Sequence, residues 1–450
     1  MRESKQGKDL IEISNRTRRL SCVRLACLAI AAPAAARPQA TIPIVELPPA
    51  SVRSVEQFGS IVNVRELPDG GLLVNDGARR QIKLLPAALT QGTVVKDSAR
   101  TGANTWYGPR VLGLIPFTAD STLFPNIIVR TVTVLDPKGA IVRELAMPTP
   151  LDAAYLRRAA ADDRGRILFG GEARIIAPSR GASPPVVSDS MPILRADLAM
   201  RTTDTVAFIA RPLARADAIG ATGVVQAYYN PDPLGTLDEW AVMTDGTLAI
   251  VRGHDYHIDF LHADGSKTSS PKLPFDWRPV GDGEKLKLID SARTLRAISA
   301  QANTLINGVE KMVPWVDTRP GASAGLGAPG RPAFDTTNAL HSHNNGGGVM
   351  TIINPPPTPV EKVFDYYPPI RTGSVFADFE NHLWILPTTS KQSKAGELVY
   401  DVVNARGELF ERVRAPLGRY IVGFGRNGVV YLATGSLSSG FAIERTQLPR

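Results

Sequence analysis

Cysteine is almost missing from this chain: among 450 residues only Cys22 and Cys27 carry a thiol. Both lie in the N-terminal leader read below, so a processed chain has none. Disulfide staples, thiolate metal sites and cysteine nucleophiles are thereby excluded. Long apolar runs are absent too, since no stretch reaches the ~20 residues that a membrane-spanning helix needs. Histidine is scarce, at 6 residues, and there is no Gly-x-Ser-x-Gly, P-loop, His-Glu-x-x-His or dinucleotide-binding fingerprint. Nor is there a long Lys/Arg run interleaved with aromatics, which argues against a nucleic-acid partner.

The basic excess that does exist is uneven. The chain carries a formal +8, and residues 1–36 hold seven bases (Arg2, Lys5, Lys8, Arg16, Arg18, Arg19, Arg24) against three acids (Glu3, Asp9, Glu12), so the leader carries 7 − 3 = +4 and the rest 8 − 4 = +4. After this basic flank come Leu25-Ala26-Cys27-Leu28-Ala29-Ile30-Ala31-Ala32 and the small residues Pro33-Ala34-Ala35-Ala36. A positive flank, a short apolar core and an Ala-x-Ala site are the pattern of a secretory signal peptide over residues 1–36. The alternative is a retained N-terminal tail. Export implies a periplasmic or secreted protein.

What the chain has in quantity is turn residues, Gly 39 and Pro 36. They punctuate a recurring pattern of β-rich segment, turn, β-rich segment. Residues 61–67, the turn Pro68-Asp69-Gly70-Gly71 and residues 72–74 make the first hairpin. In such a turn Pro presets φ, Asp bonds its own backbone and Gly accepts positive φ. Five more follow, turning at Asp120-Ser121, Asp162-Asp163-Arg164-Gly165, Thr244-Asp245-Gly246, Asp378-Phe379-Glu380-Asn381 and Arg426-Asn427-Gly428. Asn381 stands there where Gly is usual.

A second turn follows several of these, at Asp136-Pro137-Lys138-Gly139, Ala263-Asp264-Gly265 and Asn404-Ala405-Arg406-Gly407. Two hairpins make a four-stranded unit, and uninterrupted units recur at roughly 40–50 residues, the period of propeller blades. The expected fold is an all-β six-bladed β-propeller over residues 55–450, preceded by an N-terminal segment 37–54. A β-sandwich is the competing reading for any few of the hairpins.

The period breaks at residues 280–350, which do not read as strands and form an insertion between the fourth and fifth blades. Apolar residues at Leu288, Ala292, Leu295, Ala302 and Ile306 predict an amphipathic helix over 284–306, with Asp282 placed to cap it. Residues 319–332 are rich in Gly, Ala and Pro, and Asn344-Asn345-Gly346-Gly347-Gly348 closes the segment.

Several runs together resemble the NHL-like/TolB-like six-bladed propellers of bacteria, especially the exported members of uncharacterised role. They are Leu67-Pro68-Asp69-Gly70-Gly71-Leu72-Leu73-Val74, Asp120-Ser121-Thr122-Leu123 with Thr133-Val134-Leu135-Asp136-Pro137-Lys138-Gly139, Trp240-Ala241-Val242-Met243-Thr244-Asp245-Gly246, and Phe376-Ala377-Asp378 leading to Leu383-Trp384. The resemblance spans residues 55–448 and rests on turns and core positions, so it implies fold rather than function. Enzymes sharing the fold, such as lactonases, strictosidine synthase-like proteins and amidating lyases, hold a divalent metal in the channel. No such ligand set can be placed on this sequence residue by residue.

Two clusters could carry chemistry. In His254-Asp255-Tyr256-His257-Ile258-Asp259, strand alternation puts Asp255, His257 and Asp259 on one face and Tyr256, Ile258 and Phe260 on the other. A His between two carboxylates suits a general base, a metal ligand or a ligand-binding group, and equally a cross-strand polar ladder. His341-Ser342-His343 places two imidazoles where a third ligand would complete a metal site, or leaves two solvated loop histidines. His262 and His382 read as polar surface residues beside turns.

The first expectation of function is a binding or scaffold propeller for a peptide, glycan or protein partner, with no cofactor. The second is a metal-dependent hydrolase or lyase with a divalent metal in the channel.

Overall fold

The computed structural model describes residues 42–449 except 100–105, 109–111, 127–130, 148–158, 172–174, 177–185, 188–189, 211–214, 220–223, 229–232, 305–348, 353–358 and 437. The leader 1–36 and the pair His341 and His343 lie outside the described residues.

The chain is a six-bladed β-propeller. Blade 1 is Ile61–Glu66, Leu72–Asp76, Gln81–Leu85 and Thr93–Lys96. Blade 2 is Ile115–Pro116, Thr122–Asn126, Thr131–Leu135 and Ile141–Ala146, and blade 3 is Ala160–Ala161, Ile167–Gly170, Ser190–Asp197 and Thr202–Ala210. Blade 4 comprises Glu239–Val242, Leu248–Arg252, His257–Leu261 and Lys267–Ser269. In blade 5, Val375–Ala377, Leu383–Ile385, Leu398–Val403 and Leu409–Ala415 run from inside to outside; in blade 6, Arg419–Phe424, Val429–Ser436 and Gly440–Gln447 do the same.

The turns form where their short polar side chains can replace backbone partners. Asp69 Oδ1 accepts from Gly71 N at 2.8 Å, Asp245 Oδ1 from Thr247 N at 2.9 Å, and Asp378 Oδ1 from Glu380 N and His382 N at 3.0 and 2.8 Å. The outer hairpins repeat the device with Asp136, Asp264 and Asn404. Asn381 adopts φ 66, and Gly246, at the same place in blade 4, adopts φ 80. Asn tolerates this left-handed conformation better than other non-glycine residues, which is why it can stand in for Gly.

Alternation along each strand then builds the core between blades. Leu72 and Val74 pack against Tyr431 and Ile443 of blade 6, whereas Leu73 between them packs against Phe124 of blade 2. Likewise Leu383 and Ile385 face blade 4 while Trp384 faces blade 6. Each neighbouring pair of blades shares its own apolar cluster, and the cluster joining blade 6 to blade 1 closes the ring.

Closure uses the N-terminal segment. Val52–Arg53 is the outermost strand of blade 6, pairing antiparallel with Arg445 and Glu444, and the Phe58–Phe441 bridge continues the contact. Ile44–Glu46 adds a fifth, parallel strand to the outside of blade 5. Residues set apart in sequence as a leading segment thus complete two blades.

The insertion carries a helix, α1, over Asp282–Thr304. Among its described side chains Lys285, Leu288 and Ile289 are buried; Leu288 and Ile289 pack with Leu234, Val280, Val363 and Tyr367, and Lys285 Nζ bonds Asp365 at 2.5 Å. Full burial of a Leu or Ile side chain stabilises by about 1.5–3 kcal/mol, enough to hold the helix to these connecting segments. The N-terminal cap differs from expectation. The Gly281 carbonyl accepts from Glu284 N and Lys285 N, and Asp282 is already helical, where its charge complements the helix dipole. The insertion also holds a strand, Val349–Ile352, which pairs in parallel with Val224–Tyr228 from the connection between blades 3 and 4. No helix among the described residues is long and apolar enough to cross a membrane.

Candidate functional site

The polar cluster of blade 4 develops from the turn between its second and third strands, where Tyr256 takes φ 55. This turn launches His257–Leu261 so that Tyr256, Ile258 and Phe260 enter the core shared with blade 5. Tyr256 is fully buried and donates its hydroxyl to Asp401 Oδ2 at 2.7 Å. Burial, then the Asp401 charge, holds the phenol well above its ordinary pKa.

Asp255, His257 and Asp259 occupy the opposite face, and the structure brings them together. His257 Nδ1 lies 2.5 Å from Asp255 Oδ1, and His257 Nε2 lies 3.2 Å from Asp259 Oδ1. Lys272 Nζ reaches Asp255 Oδ2 at 3.3 Å. At the other end Ser269 Oγ donates to Asp259 Oδ1 at 2.6 Å, and Arg252 Nε donates to Asp259 Oδ2 at 2.7 Å. Arg252 Nη1 also donates to Asp238 Oδ2 and to the Phe208 carbonyl of blade 3, at 2.7 and 3.0 Å. Burial pushes the carboxyl of Asp259 up, but the bonds from Ser269 and Arg252 outweigh it and the net shift is downward. Asp255 follows the same balance, with His257 and Lys272 as its donors.

Both nitrogens of His257 therefore face carboxylate oxygens. A metal or a transferable proton would have to displace one of those contacts. The outward-facing end of the network is the Arg252–Asp259 pair, and it lines a pocket of about 490 Å³ between blades 3 and 4. Thr205, Val206, Ala207 and Phe208 form one wall; Ile250, Phe260, Leu261, Lys267, Thr268 and Ser269 complete the other. Phe208 is 57% exposed, and Lys267 has no acidic partner among the described residues. The volume falls within the ~300–1,000 Å³ of ligand pockets, and the walls combine apolar surface with a few fixed polar groups.

A second arrangement escaped the sequence. The inner-hairpin turns gather at one end of the propeller and touch their neighbours. Asn381 Nδ2 of blade 5 bonds Asp245 Oδ2 of blade 4, Gly428 N of blade 6 bonds Glu380 Oε1, and Arg426 N bonds Glu66 Oε1 of blade 1. Within this ring Arg426 pairs with Asp120 of blade 2, Arg65 Nη2 lies 3.8 Å from the same Asp120 oxygen, and both guanidinium carbons lie over the Phe379 ring at 5.3 and 5.2 Å. Blades 2 and 5 are diametrically opposed, so Asp120 and Phe379 can share partners only on the axis. The channel is obstructed here.

Arg65 is 4% exposed, and its Nε and Nη1 reach no hydrogen-bond partner among the described residues. Burial, and then the neighbouring Arg426 charge, lowers its pKa. The only signal in sequence is position, each residue standing at or beside an inner-hairpin turn. Among the described residues no three His, Cys, Asp or Glu side chains come together as metal ligands.

No family model and no curated protein matches the chain. Solved structures resemble it at low identity over most of its length. A member of the DUF4221 family from Bacteroides vulgatus is 12% identical with a TM-score of 0.42, covering 90% of this chain and 94% of that one. Virginiamycin B lyase from Staphylococcus aureus, solved with quinupristin, is 11% identical with a TM-score of 0.36, covering 88% and 98%. A gluconolactonase from Xanthomonas campestris is 11% identical with a TM-score of 0.34, covering 90% and 98%.

Proposed function

We propose that this chain is an exported binding module which holds its ligand in the pocket between blades 3 and 4. The observation that carries the reading is the wall of that pocket, where the Arg252–Asp259 pair is fixed at 2.7 Å on adjacent strands beside the exposed Phe208 ring. Groups held by strands of a packed sheet keep their geometry without a ligand, so little ordering is needed on binding. Asp259 and Arg252 meet the ligand; Asp255 and His257 position Asp259 from behind. Lys267, which has no acidic partner among the described residues, adds a cation that favours a partner carrying an acidic group. The basic, apolar and small-residue sequence of the leader supports export. The reading calls for no cofactor.

Filling the pocket tests it. A Thr205→Trp variant is expected to keep the thermal stability of the wild type and to lose the stabilisation that acidic peptides or oligosaccharides confer in a thermal-shift screen. Equal stabilisation of both forms refutes the reading. Native mass spectrometry of the protein from an exporting host is expected to give a metal-free mass lacking residues 1–36. A stoichiometric divalent metal would shift the assignment to a hydrolase or lyase working in the channel.

A further inference from the structure

A propeller has one outer strand edge per blade, and an uncovered edge offers a row of backbone donors and acceptors to any extended chain. Here the outer edges differ. Blades 5 and 6 have theirs occupied by Ile44–Glu46 and Val52–Arg53. Blade 1 ends in Thr93–Lys96, a strand of 4 residues whose lysine is turned inward and buried, and blade 2 in Ile141–Ala146, which carries Arg143 and Glu144; blade 4 ends in a strand of 3 residues, Lys267–Ser269. These are the usual protections of a sheet edge: charge, shortness or cover.

Blade 3 is protected less, since no strand among the described residues covers its outer edge. Its outer strand Thr202–Ala210, at 9 residues the longest described, contains no Lys, Arg or Pro, and its one charge, Asp204, is half exposed and paired across to Arg195 of the neighbouring strand at 2.6 Å. The pairing shifts between Ile193 and Leu194, leaving Val206 as a bulge. Beyond the bulge the edge is already used, since Arg252 takes the Phe208 carbonyl and Asp238 takes Ala210 N and O. Among the described residues the run Thr202–Ala207 is what remains open, and at its end Thr205, Val206 and Ala207 turn into the wall of the pocket.

We infer that an extended polypeptide adds to blade 3 as a fifth strand along residues 202–207 and places a side chain in the adjoining pocket. The inference rests on the pocket being the binding site. The molecule accepts such strands twice already, once parallel on blade 5 and once antiparallel on blade 6, so the outer rim of this fold tolerates the geometry. Backbone bonds supply affinity in this mode, and alternate side chains supply specificity. Because a strand presents every second side chain to one face, alternate residues of the partner point toward blade 4, where Phe208 and Ile250 meet an apolar group and Lys267 meets a carboxylate. The partner is a peptide of alternating pattern with an acidic residue on the pocket side.

The probe is a phage-displayed library of linear peptides selected on the full-length protein, with hits remade as fluorescent peptides for anisotropy. Selected sequences are expected to alternate and to contain Asp or Glu. N-methylation of every second backbone amide is expected to weaken binding at least tenfold, with little effect at the intervening amides. Phe208→Ala and Lys267→Glu are each expected to weaken it several-fold while the melting temperature stays unchanged. If binding falls in both variants but ignores N-methylation, strand addition is wrong and the pocket reading stands. If the library yields no binder, or binders indifferent to both variants, strand addition and the pocket both fail.

Discussion

The rims of blades 5 and 6 and the rim of blade 3 are built from similar strands, yet they end differently. On the first two, chain from residues 44–53 covers the edge, and the core beneath joins blade 6 to blade 1 through Phe58, Tyr431, Phe441 and Ile443. On blade 3 the edge stays open, the apolar cluster against blade 4 is smaller, and a pocket occupies the space between their outer strands. The difference teaches that one side of the ring is organised for closure, and that the other is where the proposed binding reading needs access. Closure joins the first described strands to the last two blades, so the ring depends on it. Access requires the opposite, a surface whose groups are held from behind and left unfilled in front.

Substitutions should separate the two sides by size of effect. The largest is expected at the closure, where Phe58 is fully buried. Phe58→Ala should cost about 3–5 kcal/mol in denaturant unfolding. A loss below ~1 kcal/mol would show that the ring does not depend on this seam. Next comes the buried face of blade 4. Tyr256→Phe removes the hydroxyl that Asp401 accepts and should cost about 1–3 kcal/mol, read from the same curves.

The obstructed end of the channel should respond less. Arg65 is buried with two nitrogens unbonded among the described residues, so Arg65→Met should leave stability within about 1 kcal/mol of the wild type or raise it. A larger loss would mean that its contacts with Asp120 and the Phe379 ring outweigh the cost of burying its charge.

The pocket network should show itself mainly through pH. Asp255 and Asp259 both have folded-state pKa values below their ordinary ones. The stability they contribute is therefore present above the unfolded carboxylate value of ~3.9 and is lost as pH falls through the folded values. Solvent screening of these part-exposed groups keeps the amount at about 1 kcal/mol or less. Asp259→Asn should flatten that part of the stability profile between neutral and acid pH. The smallest effect is expected at Phe208, whose exposure means that Phe208→Ala should change stability by no more than about 0.5 kcal/mol. That variant would alter binding alone.

Much of the fold was legible because the information is local. Each inner turn is announced by an Asp, Asn or Gly whose role needs only residues two to four positions away, as with Asp378 bonding Glu380 N and His382 N. Strand alternation likewise separated Asp255, His257 and Asp259 from Tyr256, Ile258 and Phe260. Helix α1 was visible in its apolar spacing, although its cap was misplaced by one residue, because Gly281, which has no side chain to announce it, stands at the cap and Asp282 is already helical.

What escaped depends on partners far away in the chain. Val52–Arg53 is too short to read as a strand and becomes one only by pairing with Arg445 and Glu444. The strand Val349–Ile352 was missed in the same way, since its partner is Val224–Tyr228. Arg65, Asp120, Phe379 and Arg426 carry no motif, and the wall contributed by Thr205 to Phe208 is an ordinary strand in sequence.

By itself the sequence determined the number of blades, the place of every inner turn, the helix in the insertion and the polar face of blade 4, since these follow from φ preferences, side-chain-to-backbone bonds and period-two burial. Only the tertiary structure decided that the N-terminal segment closes the ring, that charges from blades 6, 1 and 2 meet over the Phe379 ring of blade 5, and that Asp259 faces a pocket shared with blade 3. Those outcomes require chain segments from tens to hundreds of residues apart to be brought to within a few ångströms. No local preference encodes that distance; the packing of six sheets around one axis does.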